Sequence, residues 1–320
     1  MEEEITGLIR TGFETGIDPA PSTTPLIKES YTPRKVMFGD IPVVENIENQ
    51  IPDDKFKSYE QRFDLLKSLV SSTEDINEQT FLSSRLVYRS VMGLEPESGF
   101  FSNEARVLHQ ALDKVDALDN YSLFVDNTYG MEVLFVNLKA TESVMLENRE
   151  FFGIDNSVQN LSKENIDQVV LNTFNQDNLD NAVKGHGLLS GFPKESVDYY
   201  LTNEKHRSPF PIKKLDQKSL DYLQSGTPHW DEERLSQVYN RDYIQVGNLP
   251  TEKIKKDRIG IRGYGTAFRT SDPPSKEVFD YCQEMLEIDR RLGVSQFVED
   301  TRNMIKQRKE LQTQQGVTDK

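Results

Sequence analysis

The chain has 320 residues, 36% of them apolar, and a formal net charge of −15. That length suits one large domain or two ordinary ones, and the acidic balance disfavours non-specific contact with nucleic acid or anionic lipid, because phosphates are repelled. Cys282 is the single cysteine, which excludes an intramolecular disulfide and a cysteine-based zinc site and fits a reducing compartment.

The first 52 residues hold six of the fourteen prolines: Pro19, Pro21, Pro25, Pro33, Pro42 and Pro52. Proline removes a backbone donor and turns its predecessor away from helix. The segment therefore reads as an extended or partly disordered N-terminal arm, with residues 53–320 as the globular body. The opening Met1-Glu2-Glu3-Glu4 lacks the basic and apolar regions of a secretory signal. No apolar run approaches the roughly 20 residues that cross a bilayer. A cytoplasmic protein without a membrane segment is expected.

Helical spacing begins with Phe56, Tyr59, Phe63, Leu66 and Val70, three to four residues apart. A second helix is expected from Thr73, as N-cap, to Gly93, and a third from Ser102 through Ala105, Leu108, Leu112 and Val115. Residues 121–126 and 131–138 read as a strand pair joined by Asn127-Thr128-Tyr129-Gly130. Their apolar residues on both faces imply burial on both sides.

Helices are expected again at 141–152, closed by Gly153, and from Ser162, where Leu161 and Ile166 are placed as a hydrophobic staple. A short helix at 179–184 would stop at Gly185, and Pro193 suits the first turn of the next. The stretch 203–230 reads as loop-rich and as a weak sub-boundary. Residues 243–246 and 259–269 read as strands, and the remainder as helix, broken at Gly293 and fraying after Lys309. The fold class expected is α+β, predominantly helical. Its small antiparallel sheet would combine the 121–138 hairpin with the strands near 243–269.

Three constellations could carry chemistry. The first is Gly185-His186-Gly187-Leu188-Leu189-Ser190-Gly191-Phe192-Pro193. As a loop leading into a helix N-terminus, it would hold an anion on free N–H groups beside Gly187 and Gly191, with His186 as catalytic acid or base. It matches neither a P-loop nor a dinucleotide fingerprint, and a plain helix-to-helix turn is the favoured reading. Ser190 lacks the nucleophile-elbow spacing.

The second lies in the one basic island, 251–269, which carries +4 while the rest of the chain carries −19. If 258–269 is a strand, Arg258, Arg262 and Tyr264 share a face and could clamp a carboxylate or phosphate. The alternative is an edge strand whose arginines pair with the protein's own acids. The third, His206 and His229 with nearby acids, follows no recognised metal spacing, so no metal and no cofactor is expected. Cys282 reads as a buried small hydrophobe, and His109 as an ordinary helical histidine.

Two functions fit these features. One is a non-enzymatic interaction or assembly protein, meeting a protein partner or a second copy through the N-terminal arm and the mixed-charge C-terminal helix. The other is an enzyme or small-ligand binder for an anionic substrate, which requires His186 and the arginines to converge.

Overall fold

The computed structural model describes residues 51–126, 132–203, 211–227, 252–255, 258–260, 267–269 and 276–314. The expected arm up to residue 50 lies outside the described residues, as do the expected strand at 243–246 and the loop 127–130. Helix α1 (Asp53–Ser71) opens with Asp53 and Asp54 in its first turn and buries Phe63, Leu66, Leu69 and Val70. Acids at this end suit the helix dipole.

The single helix expected up to Gly93 is two. Asp75 caps α2 (Ile76–Leu82), accepting from the amides of Asn77 and Glu78. Ser84 caps α3 (Arg85–Met92), accepting from the Val87 amide. Ser83 bonds back to the Gln79 carbonyl at 2.8 Å. Adjacent serines offer the backbone local partners that compete with helix continuation, and the chain turns there. Gly93 ends α3 in the left-handed region, at φ 71°.

Strand β1 (Glu97–Phe101) then leads directly into α4 (Ser102–Lys114). Strands β2 (Tyr121–Asp126) and β3 (Glu132–Asn137) pair antiparallel, as the sequence leads one to expect. The expected helix after them is α5 (Leu138–Glu147) followed by the single turn α6 (Arg149–Phe152). Helix α7 (Lys163–Phe174) is capped by Ser162, and Leu161 packs on the same core as Ile166. Helices α8 (Leu179–Leu189) and α9 (Lys194–Asn203) follow.

The stretch expected to be loop contains β4 (Ile212–Lys214) and α10 (Gln217–Gln224). Arg106 and Gln110 of α4 donate to the carbonyls of Tyr222 and Leu223, at 3.1 and 3.3 Å. The Arg106 guanidinium also stacks 3.9 Å from the Tyr222 ring.

The main sheet has the order β1-β3-β2-β4, and all three pairings are antiparallel. Its composition corrects the expectation: β1 and β4 flank the hairpin, and the strands near 252–269 form a second sheet. That sheet comprises β5 (Glu252–Lys255), β6 (Arg258–Gly260) and β7 (Ala267–Arg269), in that order and antiparallel. What reads as one strand from 259 to 269 is thus two. The last described elements are α11 (Lys276–Leu292) and α12 (Val294–Gln314), separated by Gly293 at φ 68°. Helix α12 continues past Lys309.

Alternation along the strands divides the apolar residues between two cores. Phe100, Tyr121, Val133 and Phe135 face one side, packed with α1 to α4, α11 and α12. Phe124, Leu134 and Val136 face the other, packed with Met145, Ile166, Val170, Phe174 and Leu189. Phe100 and Phe135 meet edge to face at 5.5 Å. Burying each such ring contributes roughly 1.5–3 kcal/mol.

Candidate functional site

The string 185–193 is not the loop its glycines suggest. Asn178 caps α8, accepting from the Asn181 amide at 3.0 Å, and the helix runs unbroken through Gly185, His186 and Gly187 to Leu189. A Cβ at position 185 would overlap Thr173 Cγ2 of α7, and one at 187 would press on Val197 of α9 at 3.0 Å. Both glycines therefore seat α8 closely between two helices, and this packing offsets the roughly 1 kcal/mol that glycine costs a helix relative to alanine. Gly191 has φ 80°, and a Cβ there would overlap the Leu94 carbonyl. It makes the turn that Pro193 follows into α9.

Helix α8 delivers His186 to the sheet. Its Nε2 lies 3.3 Å from Glu97 Oε2, with the carboxylate 7% exposed and the ring 22% exposed. The ring packs edge to face on Phe174, centroids 5.0 Å apart. Ser190, the residue after α8, donates its hydroxyl to the same Glu97 oxygen at 3.2 Å.

A second carboxylate comes from Glu132. In the register Glu97 lies opposite Val136 and Phe101 opposite Glu132, so the two acids share a sheet face four positions apart. The Glu132 side chain lies back across Gly99, where any Cβ would collide with its carboxylate. Glycine at 99 thus lets the second acid reach toward the first. Burial raises the Glu132 pKa above the ordinary carboxylate value, and the charges of Glu97 and Asp126 add to this, while His186 opposes it. For His186, burial works against the charged ring, but the hydrogen bond and charge of Glu97, with Glu95 and Glu132, outweigh it. The net effect is a pKa above the ordinary 6.5.

Chemically this is a buried carboxylate bonded to a half-buried imidazole, able to hold or pass a proton near neutral pH. It is not a serine-nucleophile relay. In such a relay the hydroxyl gives its proton to the histidine, whereas Ser190 donates to the carboxylate.

The helix N-terminus expected to bind an anion is filled by the chain itself. Glu277 of α11 accepts from the Lys194 amide at 2.7 Å and the Glu195 amide at 3.3 Å. Of the other expected site residues, Arg258 lies in β6, with its Cα opposite Arg269 of β7 and Lys255 of β5. Arg262 and Tyr264 lie outside the described residues, as do His206, His229 and Trp230. His109 is buried in α4, and among the described residues neither of its ring nitrogens has a hydrogen-bond partner; burial lowers its pKa. Among the described residues, no three His, Cys, Asp or Glu side chains are placed to hold a metal ion. No helix among them is long and apolar enough to cross a membrane.

Glu97 and Glu132 are absent from the expectation. They stand on strands far from α8 in the chain, 93 residues separating Glu97 from Ser190, and no local pattern joins them. Comparison with known proteins finds no match among family models, curated proteins or solved structures.

Proposed function

We propose that this is a non-enzymatic, cytoplasmic interaction or assembly protein that works through its N-terminal segment, residues 1–52, and its C-terminal helix. The observation that carries the reading is on α12. Val294, Val298, Thr301 and Ile305 are buried against the body, and Arg308 ties the helix to Gln79 at 2.9 Å and to the Glu74 carbonyl at 3.1 Å. Along the flank of that buried face, Met304 and Leu311 are 42% and 54% exposed. They are seven residues apart, so they line one side of the helix. Single exposed apolar residues are ordinary; two in register on a terminal helix offer a strip for a partner's apolar face. Proline-rich composition gives the N-terminal segment a similar capacity for extended recognition.

Sedimentation velocity and recovery of a bound protein test this on the full chain, on a chain lacking residues 1–50 and on the M304E/L311E variant. Loss of an oligomer or of a recovered partner, with the body still folded, supports it. Unchanged sedimentation together with unchanged recovery in both variants overturns it.

One observation favours the second reading, a binder of an anionic ligand. The pairing of β5, β6 and β7 sets Lys255, Arg258 and Arg269 at opposed positions across three strands. Like charges directly opposite destabilise a sheet, and a phosphate or carboxylate ligand would relieve this. Titration with inorganic phosphate, followed calorimetrically in the parent and in R258Q/R269Q, separates the two readings. The anion reading requires heat in the parent and none in the variant.

A further inference from the structure

The sheet face beneath α8 is apolar at Phe124, Leu134 and Val136, yet it also carries Glu97, which meets His186 of α8, and Glu132, whose carboxylate lies over Gly99, two positions from Glu97 on the same face. Two carboxylates held near one another out of water repel strongly unless a cation stands between them or one takes up a proton. Among the described residues, Glu97 touches the His186 ring and the Ser190 hydroxyl. Asp126 of β2, which accepts from the Glu132 amide, and the buried Glu104 of α4 add negative charge near Glu132, and several other charges among the described residues are paired. Glu95 pairs with Arg89 at 3.2 Å. Asp198 of α9 holds Lys184 and Lys194. Asp167 of α7 pairs with Lys214 at 2.8 Å. From α5, Glu142 accepts from the Leu161 amide and Glu147 from Ser143.

We propose that His186 is a proton-operated clasp: protonated, it stands beside Glu97 and Glu132 and holds α8 on the sheet; deprotonated, it leaves the buried Glu97 carboxylate and the half-buried Glu132 carboxylate on one sheet face without that charge, and the 185–191 segment loosens. The ring is one turn before Ser190 and Gly191, and the Gly191 turn rests on the Leu94 carbonyl at the entry to β1. Loosening there reaches α9, whose first amides are held by Glu277 of α11. A local proton is thereby coupled to the seating of two helices.

The sign follows from linkage. A histidine whose folded pKa is raised contributes stability that is complete below its ordinary 6.5 and is lost as pH rises through the folded value. The raised Glu132 acts in the same direction, since the folded state prefers its protonated form. The clasp is therefore closed in mild acid and opens toward alkaline pH. This inference does not depend on the assembly reading.

Histidine NMR titration and hydrogen exchange of the full chain between pH 5 and 9 test it, with protection corrected for intrinsic base catalysis. His186 is expected to titrate above 6.5. Protection of amides 185–191 should fall about tenfold for each pH unit of that elevation, while amides in α1 keep theirs. In a folded His186→Gln variant the fall should be smaller, leaving only what the raised Glu132 contributes. Titration at or below 6.5 overturns the proposal, as does constant α8 protection across the titration, or an equal fall in His186→Gln. Glu97→Gln supplies an independent arm: it keeps a hydrogen-bonding group beside the ring and removes the charge, so the His186 titration must move down. An unmoved titration overturns the clasp.

Discussion

Glu277 closes the N-terminus of α9: its two carboxylate oxygens accept from the amides of Lys194, at 2.7 Å, and Glu195, at 3.3 Å. A helix start is a natural anion site because its first N–H groups have no partner within the helix and the dipole favours negative charge. The chain supplies the anion from a helix more than 80 residues away in sequence.

Glu277→Ala should therefore lower stability by about 1 kcal/mol, the usual scale for losing a cap. Glu277→Gln should retain part of that, since it keeps an acceptor and loses the charge. Urea midpoints for the three proteins check this. Indistinguishable midpoints for parent and alanine variant would show that α9 does not depend on the contact.

Gly185→Ala should destabilise, although alanine is the better helix former. The added methyl meets Thr173 Cγ2, and overpacking of this kind costs about 1–3 kcal/mol against a propensity gain of about 1 kcal/mol. Thr173→Ser removes that methyl and keeps the hydroxyl bonded to the Val169 carbonyl, now 2.8 Å. The double variant should recover most of the loss. Additive effects in the thermal midpoints would show that the two positions do not touch.

Arg62 joins α1 to the end of α3, donating from Nη1 to the Met92 carbonyl at 2.8 Å, with its guanidinium 5.3 Å from the Tyr59 ring centroid. A cation at a helix C-terminus is favourable, and bonds to charged groups contribute about 1.5–3 kcal/mol. Arg62→Met should lose an amount of that order. Arg62→Lys should restore only part, because an ammonium cannot reproduce the planar fork. Denaturant titration of both variants gives the comparison, and equal stability of Lys and Met forms would contradict it.

Glu132→Gln should stabilise the protein at pH 8 and leave it unchanged near pH 4. Burial first, then the charges of Glu97 and Asp126, disfavour the ionised form, so the parent loses stability as pH rises from the ordinary carboxylate range through the raised folded value. The amide has no charge to suppress. Denaturant midpoints at the two pH values decide the matter, and a variant that is less stable at pH 8 would refute the argument.

Much of the helical framework is legible from local pattern. Helices α1 and α4 show apolar residues three to four apart, and α7 shows both the Ser162 cap and the flanking Leu161–Ile166 pair. Strand β1 is hidden because Gly99 weakens a strand locally; its reason for being there is the Glu132 side chain lying over it, which only tertiary structure supplies. The second half of α8 is hidden by the same logic, since Gly185 and Gly187 read as breakers until Thr173 and Val197 are seen against them. In the candidate site, His186 is legible as a titratable residue in an unusual setting. Its partner Glu97 is not, because the pairing is made by the docking of α8 on β1.

The alternation of β3 has a further consequence. Val133 and Phe135 serve one core while Leu134 and Val136 serve the other, so six residues form a party wall. Inserting or deleting one residue in this strand exchanges the occupants of the two rooms at once. Dividing the chain on either side of β3 leaves one fragment without that wall, so the two cores are bound to form, and to fail, together.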